Sequence, residues 1–264
     1  MINILRRNNV SVFGNGEKTI LFAHGFGCDQ TVWKNITPAF AANYEIVLFD
    51  FVGAGKSDIS AYDKSRYCRL EGYAEDVLEI CKELNLKDVI FIGHSVSCMI
   101  GALAAIKEPA FFEKLVFVGP SPRYLNDEGY VGGYDGEDLE LLFGLMDDNY
   151  ISWGNVTAPA IMANAQRPEL GEELANSFCS LDPEIAKDFA RVTFLSDNRK
   201  DLPAIPVQSL ALQCKEDILA PLEVGYYINR NTPNNKLVIL EATGHCPHMS
   251  APEETIEAIK LFLS

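Results

Sequence analysis

Six short apolar runs alternate with longer stretches of helical period, and this rhythm constrains the fold more than any other feature of the chain. The runs are Thr19–Ala23, Glu45–Phe49, Val89–Ile92, Lys114–Val118, Val207–Leu212 and Lys236–Leu240. Most are apolar at successive positions, as expected of parallel strands buried on both faces. Leu70, Tyr73, Ala74, Val77, Cys81 and Leu84 recur at steps of three and four, which puts one apolar stripe on a helix. Strand and helix in alternation specify an α/β fold, a mostly parallel central sheet flanked by helices on both faces.

From about Gly133 to Asp197 the rhythm stops. Leu139, Leu142, Phe143 and Met146 make one helical stripe, and Ile185, Phe189 and Val192 make another. Pro159, Pro168 and Pro183 divide the segment into about four short helices. The expected organisation is a core domain of residues 1–132 and 198–264, with residues 133–197 inserted as a helical cap. Asp201–Pro206 is the expected return linker.

Bulk properties narrow the class. The chain has 264 residues, 48% hydrophobic and 22% charged, a globular composition. No run approaches the roughly 20 apolar residues that span a bilayer. The first residues, through Gly16, show neither a long apolar core nor a small-residue cleavage site, so no leader and a cytoplasmic location are expected. A net charge of -15 argues against nucleic acid and against anionic membrane surfaces. Seven cysteines, an odd number without a C-x-x-C pair, read as reduced thiols and not as a disulfide frame or a zinc site.

The chemistry concentrates in a few motifs. Val89–Ile92 runs into Gly93-His94-Ser95-Val96-Ser97 and then into a helix-compatible stretch. This is the strand–turn–helix setting in which G-x-S-x-G exposes a nucleophilic serine, here with Ser97 at the last position. A serine hydroxyl needs a base and a group that orients the base, and in this setting they follow in the order acid, histidine. His245 lies directly after the last strand, and His248 is its competitor, expected in a structural or capping role. Asp217 and Glu216 both follow the strand before last. The oxyanion would be met by the backbone N–H groups of Val96 and of Phe26, the latter in the His-Gly-Phe-Gly turn after Thr19–Ala23. Gly53-Ala54-Gly55-Lys56-Ser57 ends like a phosphate-binding loop, but Asp50 stands where that motif begins with glycine. No cofactor and no metal are expected.

With these residues in place, the chain resembles the α/β-hydrolase family of the bacterial energy-stress regulator RsbQ and the plant karrikin and strigolactone receptors. The resemblance is carried by His24–Trp33, Phe49–Asp58, Gly93–Gly101, Ser121–Asp127 and Gly244–Ser250. It implies Asp217 as the acid, in an aspartate–x–x–x–proline context ending at Pro221, and a four-helix cap over an apolar pocket. It places Phe26, Tyr124, Trp153, Phe194 and Leu219 in the pocket wall, though Trp153 and Phe194 suit core packing equally well. A small hydrophobic ester or lactone suits such a pocket. The implied function is a serine hydrolase that cleaves or senses such a molecule and signals through a protein partner, a PAS-domain phosphatase or a sensor kinase. The alternative is a metabolic carboxylesterase with no partner, because both need the same triad.

Overall fold

The computed structural model describes residues 3–264. Met1 and Ile2, which begin the stretch expected to carry no leader, lie outside the described residues. Seven strands form one sheet: β1 Ser11–Gly14, β2 Lys18–Ala23, β3 Tyr44–Leu48, β4 Val89–His94, β5 Phe112–Val118, β6 Gln208–Glu216 and β7 Asn235–Thr243. Their order is β1-β3-β2-β4-β5-β6-β7. Every neighbouring pair is parallel except β1 with β3, where Ser11 faces Leu48 and Gly14 faces Glu45. All six expected runs are strands. β1 was not among them: it is four residues long and exposed at every position, so it carries no apolar run.

The strands sort their side chains by parity, as a two-residue period requires. Ile20, Phe22, Ile90 and Ile92 enter one core with the C-terminal helix Pro252–Leu263. Leu21, Ala23 and Phe91 enter the other, against the helices Leu70–Glu83, Val96–Lys107 and Leu222–Asn231. β4 is buried at all six positions, which fixes the central strand of the sheet and the residue that follows it.

Between β5 and β6 lie the helices Gly136–Met162, Pro168–Cys179 and Pro183–Phe194. The first is two helices joined at Asn149, whose φ of -159° and ψ of 91° are not helical. Four helices therefore fill the insertion, but Pro159 does not divide them; it sits inside the second. The break is at Asn149 because its carboxamide oxygen accepts the Ser152 N–H at 2.9 Å, capping the helix that begins there. Pro168 and Pro183 open their helices, where a missing N–H costs nothing. At the base of the insertion Asn198 N–H donates to the Pro122 carbonyl at 2.7 Å. Among the described residues no helix is long and apolar enough to cross a membrane.

Candidate active site

Three strand ends converge on one point. Ser95 follows β4 directly, with φ 57° and ψ -125°. That conformation costs a non-glycine residue about 1–3 kcal/mol and persists only where the surroundings over-determine it. Here Ser95 N–H donates to the Val118 carbonyl at 2.8 Å, and the helix Val96–Lys107 leaves at once. The turn is so tight that a Cβ on Gly93 would stand 2.7 Å from the backbone of Ser97.

Asp217 follows β6 and His245 follows β7. His245 Nδ1 lies 2.7 Å from Asp217 Oδ2, and His245 Nε2 lies 2.7 Å from Ser95 Oγ. Asp217 Oδ1 is taken by the Leu219 and Ala220 amides at 2.8 and 3.1 Å, which leaves Oδ2 for the imidazole. A carboxylate can only accept, so Nδ1 carries the proton, Nε2 accepts, and the Ser95 hydroxyl donates to it. Ser95 Oγ then accepts from the Tyr124 hydroxyl at 3.2 Å. Burial raises the Tyr124 pKa, so the phenol keeps its proton. Glu216, the other acid considered, turns an exposed side chain to solvent and contributes only its carbonyl, which accepts the Gly244 N–H at 2.7 Å.

The turn after β2 is held just as firmly. Phe51 N–H donates to His24 Nε2 at 3.1 Å, so His24 Nδ1–H donates to the Gly25 carbonyl at 2.9 Å. That carbonyl and the Phe26 N–H belong to one trans peptide and point in opposite directions. Fixing the first therefore aims the second. Ser97, which replaces the motif's final glycine, donates its hydroxyl to the His24 carbonyl at 2.5 Å and ties the turn to the elbow. Among the described residues neither the Phe26 nor the Val96 N–H is bonded to a backbone carbonyl outside the regular elements.

His248 takes no part. Its ring is fully buried, 4.6 Å from Trp33 and 4.3 Å from His94 between centroids, and neither nitrogen has a hydrogen-bond partner. Burial pushes its pKa down to about 3, so it packs as a neutral ring and caps nothing. His94 instead donates from Nε2 to the His245 carbonyl at 2.9 Å, a fastening that the sequence did not announce.

Four of the five expected pocket residues, Phe26, Tyr124, Phe194 and Leu219, line a cavity with Ser95 and His245. Trp153 does not line it. Its ring stacks on Phe178 at 5.5 Å and 8°, and it is Phe178 that faces the cavity. Cys28 and Cys246, inside two of the motif segments but not singled out there, also contribute, as do Ile161, Leu174, Phe178 and Thr193, which no motif marked in the sequence. Burial raises the pKa of Cys28 to about 12, so both its role and its reactivity are those of a small apolar group. The cavity measures about 20 Å³, room for roughly one water, so any ester must displace side chains to enter. The former phosphate-loop segment is occupied by its own aspartate: Asp50 accepts the Gln30 and Lys56 amides at 2.9 Å each.

Comparison with known proteins identifies the family. The profile of the alpha/beta hydrolase family matches residues 20–258. The Karrikin insensitive 2 receptor CA of Petunia hybrida is 38% identical over 96% of this chain and 94% of its own length. Strigolactone esterase D14 of Arabidopsis thaliana is 36% identical over 98% of this chain and 97% of its own. A hydrolase from Oleispira antarctica superposes with a TM-score of 0.97 at 42% identity, covering 99% of this chain and 96% of the other. The chain thus belongs to the alpha/beta hydrolase family, on the branch that holds the karrikin and strigolactone receptors.

Proposed function

We propose that the chain is a serine hydrolase of the carboxylesterase or lactonase type that acts on or senses a small hydrophobic molecule, with Ser95 as nucleophile, His245 as base and Asp217 as its orienting acid. The observation that carries this reading is the unbroken chain of two 2.7 Å hydrogen bonds from Asp217 through His245 to Ser95 at the wall of an apolar cavity. Residues 133–197 serve as the cap in this reading, because Ile161, Leu174, Phe178 and Phe194 close the cavity from that side.

Ser95 Oγ attacks the ester carbonyl carbon as its proton passes to His245 Nε2. Asp217 holds the tautomer and stabilises the imidazolium. The charge on the carbonyl oxygen meets the Phe26 and Val96 N–H groups; one such donor is worth roughly 3 kcal/mol of barrier. The tetrahedral adduct expels the alcohol, which takes the proton from His245. Water then gives a proton to His245 and attacks the acyl-serine, and Ser95 leaves with that proton restored. In a lactone the alcohol stays tethered to the acyl group.

We further infer a signalling role, supported by the receptor name of the Petunia hybrida relative; the partner, of the PAS-phosphatase or sensor-kinase kind, rests on the resemblance to the bacterial regulator alone. A stand-alone metabolic esterase is the competing reading, supported by the relative named only as a hydrolase. A serine-directed fluorophosphonate should label one residue, and Ser95→Ala should abolish the label. Label that persists in the variant, or that maps to Ser97, overturns the nucleophile. Deleting the gene in a stress-reporter strain separates the two roles: unchanged reporters favour the metabolic esterase.

A further inference from the structure

The loop that carries His245 is fastened on three sides. Gly244 N–H donates to the Glu216 carbonyl at the end of β6, and His94 Nε2 donates to the His245 carbonyl. The third fastening comes from the insertion. His245 N–H donates to the Ile161 carbonyl at 2.9 Å, in the last turn of the helix that restarts after Asn149. Asn164, just beyond that helix, donates from Nδ2 to the Met162 carbonyl at 2.5 Å and to the Thr243 carbonyl at 3.2 Å. Arg167 donates to Asn164 Oδ1 at 2.5 Å. Two carbonyls on one side and a guanidinium on the other fix which way the carboxamide faces. The Thr243 hydroxyl donates back to the Ala163 carbonyl at 3.2 Å. The approach is close: a Cβ on Gly244 would stand 2.0 Å from the Met162 carbonyl oxygen.

We propose that Asn164 is a positioning residue for the base, clamping the end of the insertion helix to the Thr243–His245 loop, so that the seat of the insertion sets the hydrogen bond from Ser95 to His245. The inference rests on His245 being the base. Its physical basis is the shared residue Ile161. The side chain of Ile161 lines the cavity while its carbonyl holds the His245 amide. The cavity admits about one water, so a bound molecule must push the lining outward. Pressure on Ile161 is then pressure on the backbone of the base. The non-helical Asn149 frees the helix after it to move as a separate lever. Misplacing a catalytic group by an ångström costs on the order of a hundredfold in rate. Loss of one clamp should displace His245 by less than that.

The test is Asn164→Ala, assayed on p-nitrophenyl acetate. We expect kcat to fall about tenfold with KM within about twofold. The low-field proton resonance of the His245 Nδ1–H to Asp217 hydrogen bond should shift or broaden. Arg167→Ala, which leaves the donor in place, should change kcat by less than about threefold. If Asn164→Ala melts below the assay temperature, Asn164→Ser, which keeps a short donor, is measured in its place and should lie between the two. A kcat within twofold of the parent and an unmoved resonance overturn the proposal. His245→Ala separates the two layers of the argument. If it keeps full turnover, the base assignment fails; if it abolishes turnover while Asn164→Ala does not lower it, only the clamp fails.

Discussion

Ser95, Asp217 and His245 reach the cavity from the ends of β4, β6 and β7, whereas Ile161, Leu174, Phe178 and Phe194 reach it from helices that pack chiefly on one another. On the sheet side, backbone hydrogen bonds fix each functional atom: Val118 to Ser95, Leu219 and Ala220 to Asp217, Glu216 to Gly244. On the helical side, position depends on ring packing, with the Phe178, Trp153 and Phe26 rings in mutual contact. The outer surface of the insertion is also partly apolar. Leu141 is 64% and Leu145 50% exposed beside Glu137, Asp138 and Glu140, so this face is mixed and not simply acidic. Asp147 on the same helix is already paired with Arg191 at 2.5 Å. The contrast separates two properties that rest on different interactions. In the proposed reading, the geometry for bond breaking rests on backbone at strand ends, and the shape offered to a ligand rests on packed side chains.

The largest effect should fall on the sheet side. His245→Ala should lower kcat by about 10⁶-fold, the scale set by loss of the histidine in another serine triad, with little change in melting temperature. His248→Leu should keep most activity, because its ring touches neither Ser95 nor Asp217 through a hydrogen bond. Steady-state kinetics on a short aryl ester decides the matter. Equal losses in two folded variants would erase the distinction between the two imidazoles.

An intermediate effect should fall on the helical side. Phe178→Ala removes a ring from the cavity wall and from its stack with Trp153. Stability should drop by about 3 kcal/mol, as for other buried aromatic truncations. The kcat/KM for a hexanoate ester relative to acetate should rise about tenfold, since the parent cavity has space for little more than a water. An acyl-length preference that does not move would show that acyl groups bind elsewhere, and the floor-and-roof contrast would lose its functional meaning.

Legibility in the sequence followed the same division. The six parallel strands, and the placing of Ser95, Asp217 and His245 at the ends of β4, β6 and β7, were readable because each depends on local pattern and chain order. β1 was not, because a four-residue exposed edge strand has no apolar signature. The helix break at Asn149 was missed in favour of Pro159, since a proline is conspicuous and a mid-helix asparagine cap is not. Trp153 was expected in the wall and stands one ring behind it, because periodicity gives the buried face of a helix but not which layer a side chain occupies. The fastening of His245 by Ile161 and His94 joins residues 84 and 151 positions apart along the chain, a distance over which no single-sequence pattern speaks.

The smallest expected effect concerns the imidazole that the site leaves unused. His24, His94 and His248 are all buried, and burial lowers the pKa of each below the ordinary imidazole value, for His248 to about 3. For such a group the unfolded chain binds a proton below about pH 6.5 while the folded chain does not until near the lowered value. The stability contributed is therefore complete above pH 6.5 and is lost as pH falls from there toward 3. The slope is about 1.4 kcal/mol per pH unit for each such histidine. Acidic groups titrate in part of the same range, and Asp76 in particular has its pKa raised by burial, so the total slope mixes several residues. Comparing the parent with His248→Leu cancels the rest. Urea unfolding at a series of pH values between about 4.5 and 6.5 should give the variant a shallower dependence, by close to one proton. A leucine suits the site between Trp33 and His94, so the variant should match or exceed the parent in stability at the acid end. If the two curves run parallel, His248 takes up its proton in the folded protein, and its ring is not the neutral packing element described above.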